Sequence, residues 1–150
     1  RHRSHRSGRD VDLLYYVKDA RGKPVESPGF EPFDSTGRCS REGCRLRLDV
    51  PRNWSLLRTL IASRRPAVQY VFISNPIKDL LLQYAERRGE HPEILRRARL
   101  ILRQPSDSAA HDDHMHVRTF CSSTDLKSGC VDGGTRWRWV DAQGRASWIR

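Results

Sequence analysis

An α+β fold with a small antiparallel sheet and about three helices is what this 150-residue sequence predicts. The first sign is the run VQYVFIS at residues 68–74, the most strand-like stretch of the chain, dense in β-branched and aromatic residues. The second is a pair of helical patterns that follow it, each opened by a proline. Ile77, Leu80, Leu81 and Tyr84 stand at helical spacing behind Asn75-Pro76, and Ile94, Leu95, Ala98 and Leu102 behind Pro92.

The other elements follow in order. Residues 10–18 (DVDLLYYVK) are β-rich and come after Ser7-Gly8, which predicts a turn and then a strand. Residues 19–44 are rich in Gly, Pro, Ser and charge, the composition of a long loop or a hairpin plus loop. Pro51 fits the first turn of a helix that carries Trp54, Leu57, Leu60 and Ile61. Asn75-Pro76 supplies a cap and first turn, Gly89 ends that helix, and Gln104-Pro105 ends the next. A Ser/Ala loop leads to HDDHMH at 111–116, and residues 115–120 read as a strand. Residues 136–140 (RWRWV) alternate strictly, so a last strand is expected to turn Trp137 and Trp139 to one face. Burial of that pair against the sheet outweighs a saccharide platform, because paired aromatics usually pack.

Hydrophobic residues at 37% and charged residues at 31% describe a soluble globular chain, expected to form one domain over 1–150. No apolar run approaches the roughly 18 residues of a transmembrane helix. The opening Arg-His-Arg-Ser-His reads as the middle of a site, so an N-terminally truncated fragment is expected, without its upstream export signal. The net charge of +10 favours polyanionic partners: nucleic acid, anionic lipid or a wall polymer bearing carboxylates. The arginines are spread in pairs, such as Arg64-Arg65 and Arg96-Arg97, rather than gathered in one block.

Four cysteines fall into two close pairs, Cys39/Cys44 and Cys121/Cys130. Close pairing favours two local disulfides and an oxidising compartment. The competing four-cysteine zinc site lacks the C-x2-C spacing of a knuckle. Each bridge would contribute about 2 to 3 kcal/mol in the chain-entropy model.

Five of the six histidines lie in two clusters, His2 and His5 near one end and His111, His114 and His116 near the other. Two clusters at opposite ends of a chain suggest one site assembled from both. Zinc takes neutral imidazole and carboxylate ligands, and a catalytic zinc keeps three of them with one open position. His114 and His116, two apart on a strand, face the same way. Asp10 and Asp12 share a strand face by the same rule, and a turn at Ser7-Gly8 would bring His5 back to Asp12. The helical H-E-x-x-H motif is absent. Taken singly, each of these histidines is an ordinary surface or hydrogen-bonded residue; only their combination is specific.

Ser4-His5-Arg-Ser-Gly8-Arg-Asp10-Val-Asp12 resembles the S-H-x-x-G-x-D-V-D motif of the penicillin-insensitive murein endopeptidases. His111-Asp-Asp-His114-Met-His116-Val-Arg118 resembles their H-D-x-H-x-H-[VI]-R motif. Arg52-Asn-Trp54, the VQYVFIS run with its Asn-Pro-Ile-Lys, Gln104-Pro105 and the second cysteine pair extend the resemblance through most of the chain. The wider superfamily includes lysostaphin-type peptidases, D-Ala-D-Ala carboxypeptidases and the hedgehog signalling domain, and implies a hedgehog/DD-peptidase-like sheet.

The resemblance implies one zinc per chain held by His5, Asp12 and His116, with His114 as the catalytic histidine and His111 beside it in the catalytic group. His2 lines the cleft. Arg118, Arg3, Arg6 and Arg9 are candidates to pair with carboxylates of peptidoglycan peptide stems. The implied activity is zinc-dependent D,D-endopeptidase cleavage of D-alanyl–diaminopimelate cross-links, in the periplasm or otherwise outside the cytoplasm. A D,D-carboxypeptidase or L,D-peptidase with the same zinc site, or a catalytically silent zinc-stabilised binding domain, are the alternatives. A nucleic-acid binder accounts for the charge but leaves five clustered histidines idle, so no nucleic-acid partner is expected. Asp113 stands where relatives often carry an aromatic, and residues 24–44 lie outside the resemblance.

Overall fold

The computed structural model describes residues 8–106 and 109–149. Strand β1 (Asp10–Leu14) is followed by two short strands, β2 (Val17–Lys18) and β3 (Pro24–Val25), then by β4 (Arg47–Leu48). Helix α1 (Val50–Ala62), strand β5 (Val68–Phe72), helices α2 (Asn75–Arg87) and α3 (Pro92–Ile101), and strand β6 (Leu102–Arg103) come next. Strand β7 (His114–Thr119) and a short helix α4 (Ser123–Lys127) complete the described elements. The arrangement is α+β, with two small sheets. One is ordered β1-β7-β5-β6, antiparallel except for the parallel β5–β6 pair; the other is β3-β2-β4.

The expected strand over 10–18 divides between the two sheets. Tyr15 turns into the core, 1% exposed, where its ring meets Phe33 edge-on at 6.0 Å. The backbone of Tyr16 is gripped by Asn53 of α1: its N–H donates to Asn53 Oδ1 and its carbonyl accepts from Asn53 Nδ2. A buried amide that answers both backbone groups replaces the ladder at this corner, which is why the strand cannot run straight through. Within residues 19–44, the β2–β3 hairpin supplies the only paired strand of that stretch among the described residues.

The helices start for local reasons. Asp49 caps α1 through Arg52 N–H, with Pro51 in its first turn. The cap of α2 lies one residue earlier than Asn75-Pro76 suggests, at Ser74, whose N–H is bound by the carbonyl of His111 instead of by a helix contact. Gly89, at φ 68°, takes the left-handed conformation that ends α2. The solitary His91 caps α3, its Nδ1 accepting from Glu93 N–H at 3.2 Å. Helix α4 carries a capping box of Ser122 and Asp125, in a stretch where no helix was expected.

Alternation along the larger sheet separates two faces. Met115, Val117 and Val71 are buried in the core shared with α1, α2 and α3. The opposite face carries Asp10, Asp12 and Leu14 on β1, His114, His116 and Arg118 on β7, and Phe72 on β5. The expected strand at 136–140 does not form. Trp137 and Trp139 are buried as anticipated, stacked at 5.3 Å, but in a turn-containing segment. Trp137 Nε1 donates to the carbonyl of Gln69, so the indole takes up a sheet-edge acceptor in place of a ladder partner.

Candidate metal centre

The register of β1 against β7 builds the site. Asp12 stands opposite His116, Leu14 opposite His114 and Asp10 opposite Arg118. Because these positions are two apart on each strand, all six side chains stand on one face of the sheet. His111 joins them from the loop before β7. Its backbone is left-handed, at φ 56°, a conformation uncommon outside glycine and helped here by a local constraint. The constraint is visible: its carbonyl accepts from Tyr15 Oη at 3.1 Å and from Ser74 N–H at 3.1 Å.

Each imidazole has a defined set of polar neighbours. His116 stands between two carboxylates, Nε2 3.1 Å from the buried Asp10 Oδ1 and Nδ1 3.2 Å from Asp12 Oδ1. His114 Nδ1 lies 2.5 Å from Asp113 Oδ1, and its Nε2 lies 3.6 Å from the same Asp12 oxygen. His111 Nδ1 donates to the carbonyl of Ala109 at 2.7 Å, which leaves Nε2 as the acceptor. Burial pushes the His111 pKa below its usual 6.5, so this imidazole is neutral at neutral pH.

Ring nitrogens gathered at one carboxylate oxygen can share a cation with it, a proton or a metal ion. The distances suit such a cation. Two ligands each about 2.1 Å from one zinc in tetrahedral geometry stand about 3.4 Å apart. The 3.2 Å between His116 Nδ1 and Asp12 Oδ1 is close to that value. The ligand nitrogens of His111, His114 and His116 all lie within 4.8 Å of one another, so a three-histidine group is also present. The donor set of imidazoles and a carboxylate is that of zinc. The other convergent group, Glu31 with Cys39 and Cys44, offers no thiolate, because Cys39–Cys44 and Cys121–Cys130 are both bridged. The four-cysteine zinc site is thereby excluded.

Behind this first ring stand residues that the sequence offered only in part, Asp10 by its strand face and Arg118 and Arg9 as candidates for substrate contact. Asp10, its side chain fully buried, holds His116 on one side and accepts from Arg118 Nε at 2.7 Å on the other. Arg118 lies over the Phe72 ring at 5.4 Å. Arg9 is turned inward to Gln69, Asp132 and the carbonyls of Thr119 and Val131, which removes it from the candidates for substrate contact. Phe30, 60% exposed, stands edge-on to His114 at 5.0 Å. Its place in the loop of residues 19–44 gave no sequence signal for this. His2, His5, Arg3 and Arg6 lie outside the described residues.

Comparison with known families matches residues 1–136 to the model of the penicillin-insensitive murein endopeptidases. No curated protein and no solved structure gives a significant match.

Proposed function

Because the chain belongs to the penicillin-insensitive murein endopeptidase family, we propose that it is a zinc-dependent D,D-endopeptidase that hydrolyses the D-alanyl–diaminopimelate cross-links of peptidoglycan outside the cytoplasm. The observation that supports this reading is His116 Nδ1 at 3.2 Å from Asp12 Oδ1, with His114 Nε2 beside the pair at 3.6 Å from the same oxygen. His5, Asp12 and His116 would hold one zinc per chain within a single peptidase domain. When bound, zinc supplies Lewis acidity and lowers the pKa of a water molecule to about 7.

His114 receives and returns the proton of the hydrolysis at Nε2, while Asp113 keeps the proton on Nδ1 and the ring in place. His111, neutral and clamped through its carbonyl, presents Nε2 beside it, with ring centroids 4.8 Å apart. Asp10 orients His116. The two disulfides suit an oxidising compartment. A second ligand set, His111, His114 and His116, is favoured by the mutual reach of their nitrogens; it differs in making His114 a ligand.

The test is digestion of purified cross-linked muropeptide dimers. The expected outcome is release of monomers, stopped by a chelator and restored by zinc. Dimers that stay intact, or cleavage indifferent to the chelator, would overturn the proposal.

A further inference from the structure

A cavity of about 430 Å³ opens where β1 gives way to β2, within the range of small-molecule sites. Leu14, Tyr16, Val25, Glu26, Ser27 and Arg52 line it. It adjoins the candidate metal centre, because Leu14 is the residue opposite His114 in the β1–β7 register. One strap forms the wall of both: Ser27 Oγ donates to the carbonyl of Gly29, and the next residue, Phe30, meets the His114 ring.

The lining is chemically mixed. Leu14 and Tyr16 are both more than a third exposed and offer an apolar floor. The Arg52 guanidinium lies over the Tyr16 ring, 4.1 Å from its centroid. A guanidinium held over a ring by cation–π attraction still has N–H groups to meet a planar acceptor. Glu26 lines the same cavity, yet among the described residues no ion pair joins Glu26 to Arg52, and neither has another oppositely charged partner within pairing distance. A cation and an anion held in one cavity without pairing are complementary to a ligand that carries both charges on an aliphatic body.

We propose that this cavity is a subsite for a zwitterionic amino-acid group, its carboxylate on Arg52 and its ammonium on Glu26. Resting on the endopeptidase reading, that group is the free end of a diaminopimelate residue in the stem beside the scissile bond.

The experiment compares muropeptide dimers whose diaminopimelate has a free carboxylate with dimers in which that carboxylate is amidated. For the free acid, Arg52→Gln should raise KM about 10-fold, the scale of a lost charge-assisted hydrogen bond, with kcat nearly unchanged. For the amidated dimer the wild-type KM should already be raised, and Arg52→Gln should add less than about 2-fold, since the two changes remove the same contact. Glu26→Gln, an exposed loop substitution, should raise KM for dimers with a free amino group and not for their N-acetylated forms. Equal effects of Arg52→Gln on both dimers, or none on either, would overturn the subsite and leave the endopeptidase intact. Failure of the wild-type protein to cleave either dimer would instead remove the reading beneath it, and the subsite with it.

Discussion

Two clusters of buried charge in this protein use their polar atoms differently. At α3, Arg97 is 2% exposed and answered on every side: Nε donates to Glu93 at 2.7 Å, and Nη1 and Nη2 reach the carbonyl and hydroxyl of Ser147. The Trp139 ring lies beneath it at 5.1 Å. Donors meet acceptors throughout, and the result is a clamp between α3 and the C-terminal segment. At the histidine face the inner half holds Asp10 between His116 and Arg118. In the outer half, ring nitrogens from two histidines gather at one oxygen of Asp12. Buried charge alone therefore marks nothing. Imidazole nitrogens gathered round one carboxylate oxygen offer the donor set of a metal ion.

The comparison can be broken first at Asp10. Asp10→Asn keeps the shape but weakens the acceptor that fixes His116, so zinc affinity should fall about 10- to 100-fold in a competition titration, with turnover at saturating zinc less affected. Unchanged affinity would make Asp10 a structural residue like those around Arg97. Glu93→Gln is the converse. It should cost about 1 to 2 kcal/mol of unfolding free energy, read from the denaturant midpoint, and leave kcat/KM of the zinc-loaded protein unchanged.

The smallest effect is the pH dependence of that cost. The hydrogen bond from Arg96, aided by Arg97, lowers the Glu93 pKa from 4.5 to about 2. A carboxylate with a depressed folded-state pKa stabilises fully above its unfolded value and loses that contribution on acidification. The stability difference between wild type and Glu93→Gln should thus be constant above pH 4.5 and shrink as pH falls towards about 2. A difference that stays level across that range would show that the ionised carboxylate is not its source.

Much of this was legible in the residues. Periodicity and prolines located α1, α2 and α3, and two-residue spacing put His114 with His116, and Asp10 with Asp12, on one face. Failures arose where a tertiary contact overrode a local pattern. Asn53 breaks the β-rich 10–18 run, and the Gln69 carbonyl draws Trp137 out of an alternating strand pattern. The loop bearing Phe30 has no periodicity to read, so its approach to His114 emerged only from the fold. Asp113 could be suspected from its departure from the family motif, but its partner could not. A bond between adjacent side chains depends on the backbone turn that enters β7.

The central claim is that His116, with Asp12, binds the metal while His114 serves the reaction. Zinc stoichiometry measured on purified wild-type, His116→Ala and His114→Ala proteins, alongside dimer cleavage, tests it most directly. One zinc in wild type, none in His116→Ala and one in His114→Ala is the predicted result, with turnover of His114→Ala down by about 10²- to 10⁴-fold. Equal loss of zinc from both variants would contradict it and favour the three-histidine ligand set.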